Sequence, residues 1–272
     1  MRSSFDESCL LTEAYSYTPS LAVGALGVAL FAIAFAAHLY LLLKHRTWYF
    51  STVLVGTFME VLGYIFRILS SQQDPYSVPW FVAQYFCIVV APVMFSAAIY
   101  SIVSVLINDY GKQYAPLPPK VVLGIFITCD VVATIVQIAG AALVGSRYSN
   151  MQDPTTANNI LLGGLAFQVV SFAVFLGVLG WTLVKARKSS VTISRSFLIA
   201  LIVATLAVYL RTCFRLAETA EGLMQNLSTH EAFFGCLEFL PIVVAVYTFT
   251  YWHPGRWLKG SPLGKTEADV GL

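Results

Sequence analysis

Tyr209-Leu210-Arg211-Thr212-Cys213-Phe214-Arg215-Leu216-Ala217-Glu218-Thr219-Ala220-Glu221 closes an apolar run that opens near Phe197. On a helix, Arg211 and Arg215 share a face, roughly 6 Å apart along the axis. Glu218 follows three residues later and continues that face. In a run long enough to span a bilayer, each guanidinium sits where a charge costs several kcal/mol or more. Such groups must face protein, water or a ligand, so other helices have to surround this one.

Composition supports the same reading. Of 272 residues, 58% are hydrophobic and 11% charged, where a soluble domain carries about 25% charged residues. Seven stretches reach the ~20 apolar residues a bilayer requires: about 20–43, 49–70, 79–107, 120–144, 158–184, 195–217 and 231–252. Continuous apolar runs lack the alternation of a membrane barrel, so the spans are predicted as helices. The expected fold is all-α: a polytopic membrane protein built as a seven-helix transmembrane bundle. Short connections rich in turn residues (Gln73-Asp74-Pro75, Pro116-Leu117-Pro118-Pro119, Gln152-Asp153-Pro154) join the spans. The polar start carries no basic n-region followed by an h-region, so no cleaved signal is expected.

Orientation follows from lysine and arginine. Lys44, Arg46, Lys112, Lys120, Lys185, Arg187, Lys188, Arg195, Arg256, Lys259 and Lys265 all follow odd-numbered spans, against Arg2 and Arg147 on the other side. This predicts residues 1–18 as an extracellular segment, 19–253 as the membrane domain and 254–272 as a cytoplasmic tail. Asn226-Leu227-Ser228 is then a glycosylation sequon on an outer loop. The basic loops report topology and lipid contact, and no nucleic-acid partner is expected.

Polar residues inside the spans are the candidate site. Glu60 and Arg67 lie seven apart on span 2, Asp130 and Gln137 on span 4, and Glu231 and Glu238 on span 7, while Gln84 and Gln168 sit on spans 3 and 5. With Arg211, Arg215 and Glu218 they fill the outer half and the middle of the membrane. The inner halves are almost wholly apolar apart from His38. One reading is an ion-pair and amide network that fixes helix packing. The other is a polar cavity open to the outside that receives a ligand head group. Three arginines face Glu60, Asp130 and Glu238, with Glu218 and Glu231 at the rim, a balance that suits a cationic or zwitterionic head. Pro92 and Pro241 are expected to kink spans 3 and 7. Gly24 and Gly27, Gly140 and Gly163-Gly164 are expected to let helices approach closely.

These residues resemble a known family. Glu60-x-x-Gly63-Tyr64-x-x-Arg67, Gln84 with Ala91-Pro92 and Ile99-Tyr100, Asp130-x6-Gln137-x-x-Gly140, Gly164-x3-Gln168, Arg211-x3-Arg215-x-x-Glu218-x3-Gly222, and His230-Glu231, Pro241 and His253-Pro254-Gly255 occur in order. The pattern is similar to that of the RTA-like, or lipid-translocating exporter, family of fungal seven-span proteins. That resemblance implies translocation of lipid-like amphiphiles, such as sphingoid long-chain bases or sterol-like toxic compounds, with the plasma membrane as location. The chain departs from the pattern at Glu238, where Asp is expected, at Cys129, where Gly is expected, and at Phe249, where Asn is expected.

Other functions fit less well. A receptor or sensor suits the topology, but Asn108-Asp109-Tyr110 lacks an arginine between acid and tyrosine, and the last span lacks N-P-x-x-Y. No lysine lies inside a span beyond Lys120 at the very edge of span 4, which excludes a retinal Schiff base. No H-E-x-x-H or G-x-S-x-G suggests a hydrolase, the scattered cysteines and four histidines suggest no metal, and no P-loop suggests an ATP-driven pump. No enzyme activity and no cofactor are expected. The expected partners are membrane lipids and an amphiphilic small molecule.

Overall fold

A computed structural model describes residues 21–72, 78–110, 116, 118–150, 152–186, 194–222 and 233–257. Seven helices among them are long and apolar enough to cross a membrane. They are α1 (Leu21–His45), α2 (Ser51–Gln72, entered through a 3-10 turn at Trp48–Phe50), α3 (Val78–Tyr110), α4 (Pro119–Ser149), α5 (Thr155–Ala186), α6 (Arg195–Glu221) and a seventh span, Phe234–Trp257, whose regular α-helical part is α7 (Leu240–Tyr251). A π-helical stretch, Phe234–Phe239, leads into α7, and a four-residue helix α8 (Pro254–Trp257) follows it. Several helices outrun the expected apolar spans, because backbone hydrogen bonding does not stop where the hydrocarbon stops.

Neighbours in sequence are neighbours in space: α2 packs most extensively on α3, α4 on α5 and α1 on α2, and α7 returns to α1. α3 is the hub. It touches α2, α4, α5 and α6, and 78% of its apolar window is buried, against at most 50% in any other span. The core runs along it through Ala91, Phe95, Ala98, Ile99, Tyr100, Ile102, Val103 and Leu106, joined by Phe31, Phe50, Phe172, Phe175, Leu201 and Phe249 from the surrounding helices. Many large apolar side chains face outward, among them Ile33, Ile135, Val170, Val184 and Ile199, as a lipid-facing surface requires.

Glycines set the spacing at two seams. A Cβ on Gly27 would lie 2.5 Å from the Tyr64 ring, and one on Gly140 2.6 Å from the backbone nitrogen of Leu161. Of the pair Gly163-Gly164, only Gly164 takes part: it faces Gln137 and the Ala133 carbonyl, whereas Gly163 meets nothing within 4 Å.

The two prolines behave differently. Pro92 is carried inside a continuous α3. Pro241 stands in the first turn of α7, just after the π-helical stretch, where the N–H of Leu240 bonds the carbonyl of Gly235. Proline has no N–H to give the preceding turn, and widening that turn accommodates it. At the start of the expected cytoplasmic tail, Pro254 is buried, and Gly255 sits so close to His45 and Thr47 that a Cβ would reach within 2.8 Å of both.

Candidate functional site

The membrane-buried polar residues come together as two networks arranged around α3. The first joins α2, α3, α6 and the stretch before α7. Arg211 donates from Nη2 to Glu238 Oε1 at 2.6 Å and to the carbonyl of Ile88 at 2.7 Å. Glu60 lies within electrostatic reach of both Arg211 and Glu238. All three residues are at most 6% exposed. Arg67 stacks its guanidinium 4.2 Å from the ring centre of Phe234, a cation–π contact. Toward the Glu221 end of α6, Arg215 donates to Glu218 at 2.7 Å, and this pair is more open.

The second network joins α3, α4 and α5. Tyr100 donates its hydroxyl to Asp130 Oδ2 at 2.9 Å, and Gln137 donates its amide to Gln168 Oε1 at 2.8 Å. Asp130 and Gln137 lie on one face of α4, as their spacing predicts, and are 1% and 2% exposed. Gln84 is buried one turn before Ile88, and its carbonyl oxygen has no hydrogen-bond partner among the described residues.

The polar groups pack against one another, and the two best-defined clefts, of about 340 and 290 Å³, lie elsewhere, along Ala37, Tyr40, Leu41, Tyr247 and Thr250 and around Tyr251, Arg256 and Trp257. Glu238 Oε2, Arg211 Nε and Asp130 Oδ1 are nevertheless buried without a hydrogen-bond partner among the described residues. Leaving such bonds unmade costs more than a made bond gains, so these atoms mark where the interior has polar capacity in reserve. The hydroxyls of Thr57, Thr205 and Thr212, by contrast, turn back onto carbonyls of their own helices. Glu231 and Asn226, both singled out in the sequence, lie outside the described residues.

Sequence reasoning left out Tyr100 and Tyr64 as site residues. Tyr100 is fully buried and holds Asp130, and Tyr64 is buried with Glu60, Arg67 and Arg211 around it. A tyrosine deep in an apolar span, whose hydroxyl needs a partner, was the available signal. His38 is a packed, hydrogen-bonded core residue, with Nε2 3.1 Å from both the Val246 carbonyl and Thr250. Its ring lies near that of His253, which in turn stacks on His45. No His, Cys, Asp and Glu group among the described residues is placed to hold a metal.

A family profile described as "RTA1 like protein" matches residues 53–261, from the first turn of α2 past α8. The sphingoid long-chain base transporter RSB1 of Saccharomyces cerevisiae (strain Lalvin EC1118) is 29% identical over 89% of this chain and 73% of its own length. Protein RTA1 of S. cerevisiae is 24% identical over 87% of this chain and 83% of its own, and Protein RTM1 26% over 74% and 65%. No solved structure matches the chain. With seven membrane-crossing helices and a profile covering most of its length, this multi-pass membrane protein belongs to the RTA1-like protein family.

Proposed function

We propose that the chain is a translocator of lipid-like amphiphiles rather than an enzyme, and that its ligands carry an amine or zwitterionic head on a long apolar tail. The observation that carries this reading is the placement of Glu60, Asp130 and Glu238. Three carboxylates, each at most 3% exposed, point into the middle of a membrane domain from different helices. A purely structural role calls for fewer charges, because replacing buried ion pairs by apolar residues is often neutral or stabilising. A relative named as a sphingoid long-chain base transporter supports the ligand class.

The head group would pass along α3, between the Arg211–Glu238 network and the Asp130 network, with Arg67, Gln84, Gln137, Gln168, Arg215, Glu218 and Glu231 shaping its path. The tail would stay in hydrocarbon. Pairing with a carboxylate offsets the cost of carrying a charge through the bilayer. The plasma membrane is the proposed location, with residues 1–18 outside and the Lys44 end of the bundle in the cytoplasm.

Efflux of a fluorescent sphingoid base from cells tests the reading. Glu60→Gln and Asp130→Asn should each cut efflux at least tenfold while surface protein stays at the wild-type level. Wild-type efflux in both variants would refute it.

A further inference from the structure

The buried carboxylates are not equivalent. Glu238 is bonded by Arg211, which Glu60 also feels, and Glu218 is bonded by Arg215. Among the described residues, Asp130 has no such cation. Its one side-chain hydrogen bond there is the Tyr100 hydroxyl at Oδ2, and Oδ1, equally buried, has no partner among them. Ser96 hydrogen-bonds the same phenol from α3. The ring that holds Asp130 is itself enclosed by aromatics. Phe126 of α4 lies 5.7 Å from it between ring centres, and Phe172 and Phe175 of α5 lie at 6.0 and 4.5 Å. Beyond them Tyr209 of α6 stacks on Phe172 at 5.7 Å. The titratable groups placed near the Tyr100–Asp130 pair are Cys129 on the helix of Asp130 and, one layer out, Tyr209 on α6, while α5 presents the rings of Phe172 and Phe175 to Tyr100.

An ionised carboxylate with one neutral hydrogen bond and no cation is far costlier in such surroundings than a neutral one. The site is therefore at rest only when Oδ1 carries a proton or a cation stands against it. A carboxylate beside aromatic faces is also the chemistry that recognises an ammonium group.

Resting on the reading under Proposed function, we propose that Asp130 is the residue on which the ligand's ammonium docks, and that the ammonium displaces a proton held there. The exchange balances. The ligand arrives as R–NH₃⁺, the O–H bond of the Asp130 carboxylic acid breaks, and the proton leaves to water. The ammonium then faces the carboxylate that remains, and the site is neutral before and after. Release on the far side runs in reverse, with Asp130 taking a proton from that side. Amine movement in one direction is thereby tied to proton movement in the other, and a pH gradient becomes a usable driving force without any nucleotide site. Glu238 already has the Arg211 guanidinium as its partner, so an arriving cation finds no vacancy there.

The test is calorimetry of sphinganine binding to the full chain in nanodiscs, run in two buffers of different ionisation heat so that protons released are counted. N-acetylsphinganine, which lacks the charge, serves as the control. The wild-type protein should release about one proton per sphinganine bound near neutral pH and none with N-acetylsphinganine. Asp130→Asn should abolish the release and weaken sphinganine binding at least tenfold. Tyr100→Phe keeps the carboxylate but loses its hydrogen bond, so it should retain the release and shift its pH profile, which supplies a second readout if the asparagine variant folds poorly. Sphinganine binding without proton release, equal release by Asp130→Asn, or an unshifted profile in Tyr100→Phe would overturn the proton exchange and leave the wider reading standing. Failure of the wild-type protein to bind sphinganine at all would remove both.

Discussion

Arg211 is the most heavily committed side chain in the described bundle. One nitrogen serves the Glu238 carboxylate and the Ile88 carbonyl, and Glu60 lies in the same field. Arg211→Met should therefore destabilise the protein by about 3–5 kcal/mol, the cost of stranding a buried charge. Arg211→Met with Glu238→Leu should recover most of that loss, because the stranded partner goes with it and Glu60 can neutralise alone. Thermal unfolding in detergent checks both, and a double variant no more stable than the single one would show that the pair is not the unit. At this scale the sequence revealed which residues were charged and buried, since an arginine inside an apolar run of membrane length is too costly to leave facing lipid. It did not reveal the pairing. Glu60, Asp130 and Glu238 were interchangeable partners on paper, and only the lateral placement of α4 away from α6 separates Asp130 from the guanidiniums. The same lack of lateral information left open how the polar residues divide among the helices, and left His45 and His253 apart.

Between elements, contact geometry separates positions that look alike in sequence. Gly140→Ala would drive a methyl to 2.6 Å from backbone of α5, which cannot turn aside as a side chain can. A loss of about 1–3 kcal/mol follows from such overpacking. Gly163→Ala meets nothing within 4 Å and should leave stability unchanged or raise it by up to ~1 kcal/mol, the helix-propensity difference between the two residues. Melting temperatures of the two variants side by side decide this, and equal losses would contradict the α4–α5 seam described above. The seven spans were legible because a membrane imposes length and apolarity together. The π-helical stretch before α7 was not: it changes hydrogen-bond register without changing composition, and Pro241 alone suggested only a kink. Its effect on the site is direct, because Glu238 lies within the widened turn and is presented to Arg211 from there.

For the molecule as a whole, lipid-facing and core-facing surfaces are both apolar, so the order of helices around the bundle could not be read from periodicity. The ring from α1 to α7, with α3 as hub, comes from the contacts alone. Orientation is the property that ties the ring to function, and it rests on charge. Lys44, Lys120, Lys185, Arg195 and Arg256 all lie at one end of the bundle, while the more open Arg215–Glu218 pair lies toward the other. If basic residues stay in the cytoplasm, the Arg211–Glu238 network lies nearer the outside, the Tyr100–Asp130 pair lies deeper at the level of Ile99, and beyond it the cytoplasmic end of α3 is sealed by apolar packing through Val103, Leu106 and Ile107. An epitope fused after Leu272 should then resist protease added to intact cells and be cleaved once the cells are permeabilised. Cleavage in intact cells would invert the bundle: the networks would open to the cytoplasm, ligand would be loaded from that side, and the outward release step would have to cross the apolar seal rather than begin beyond it.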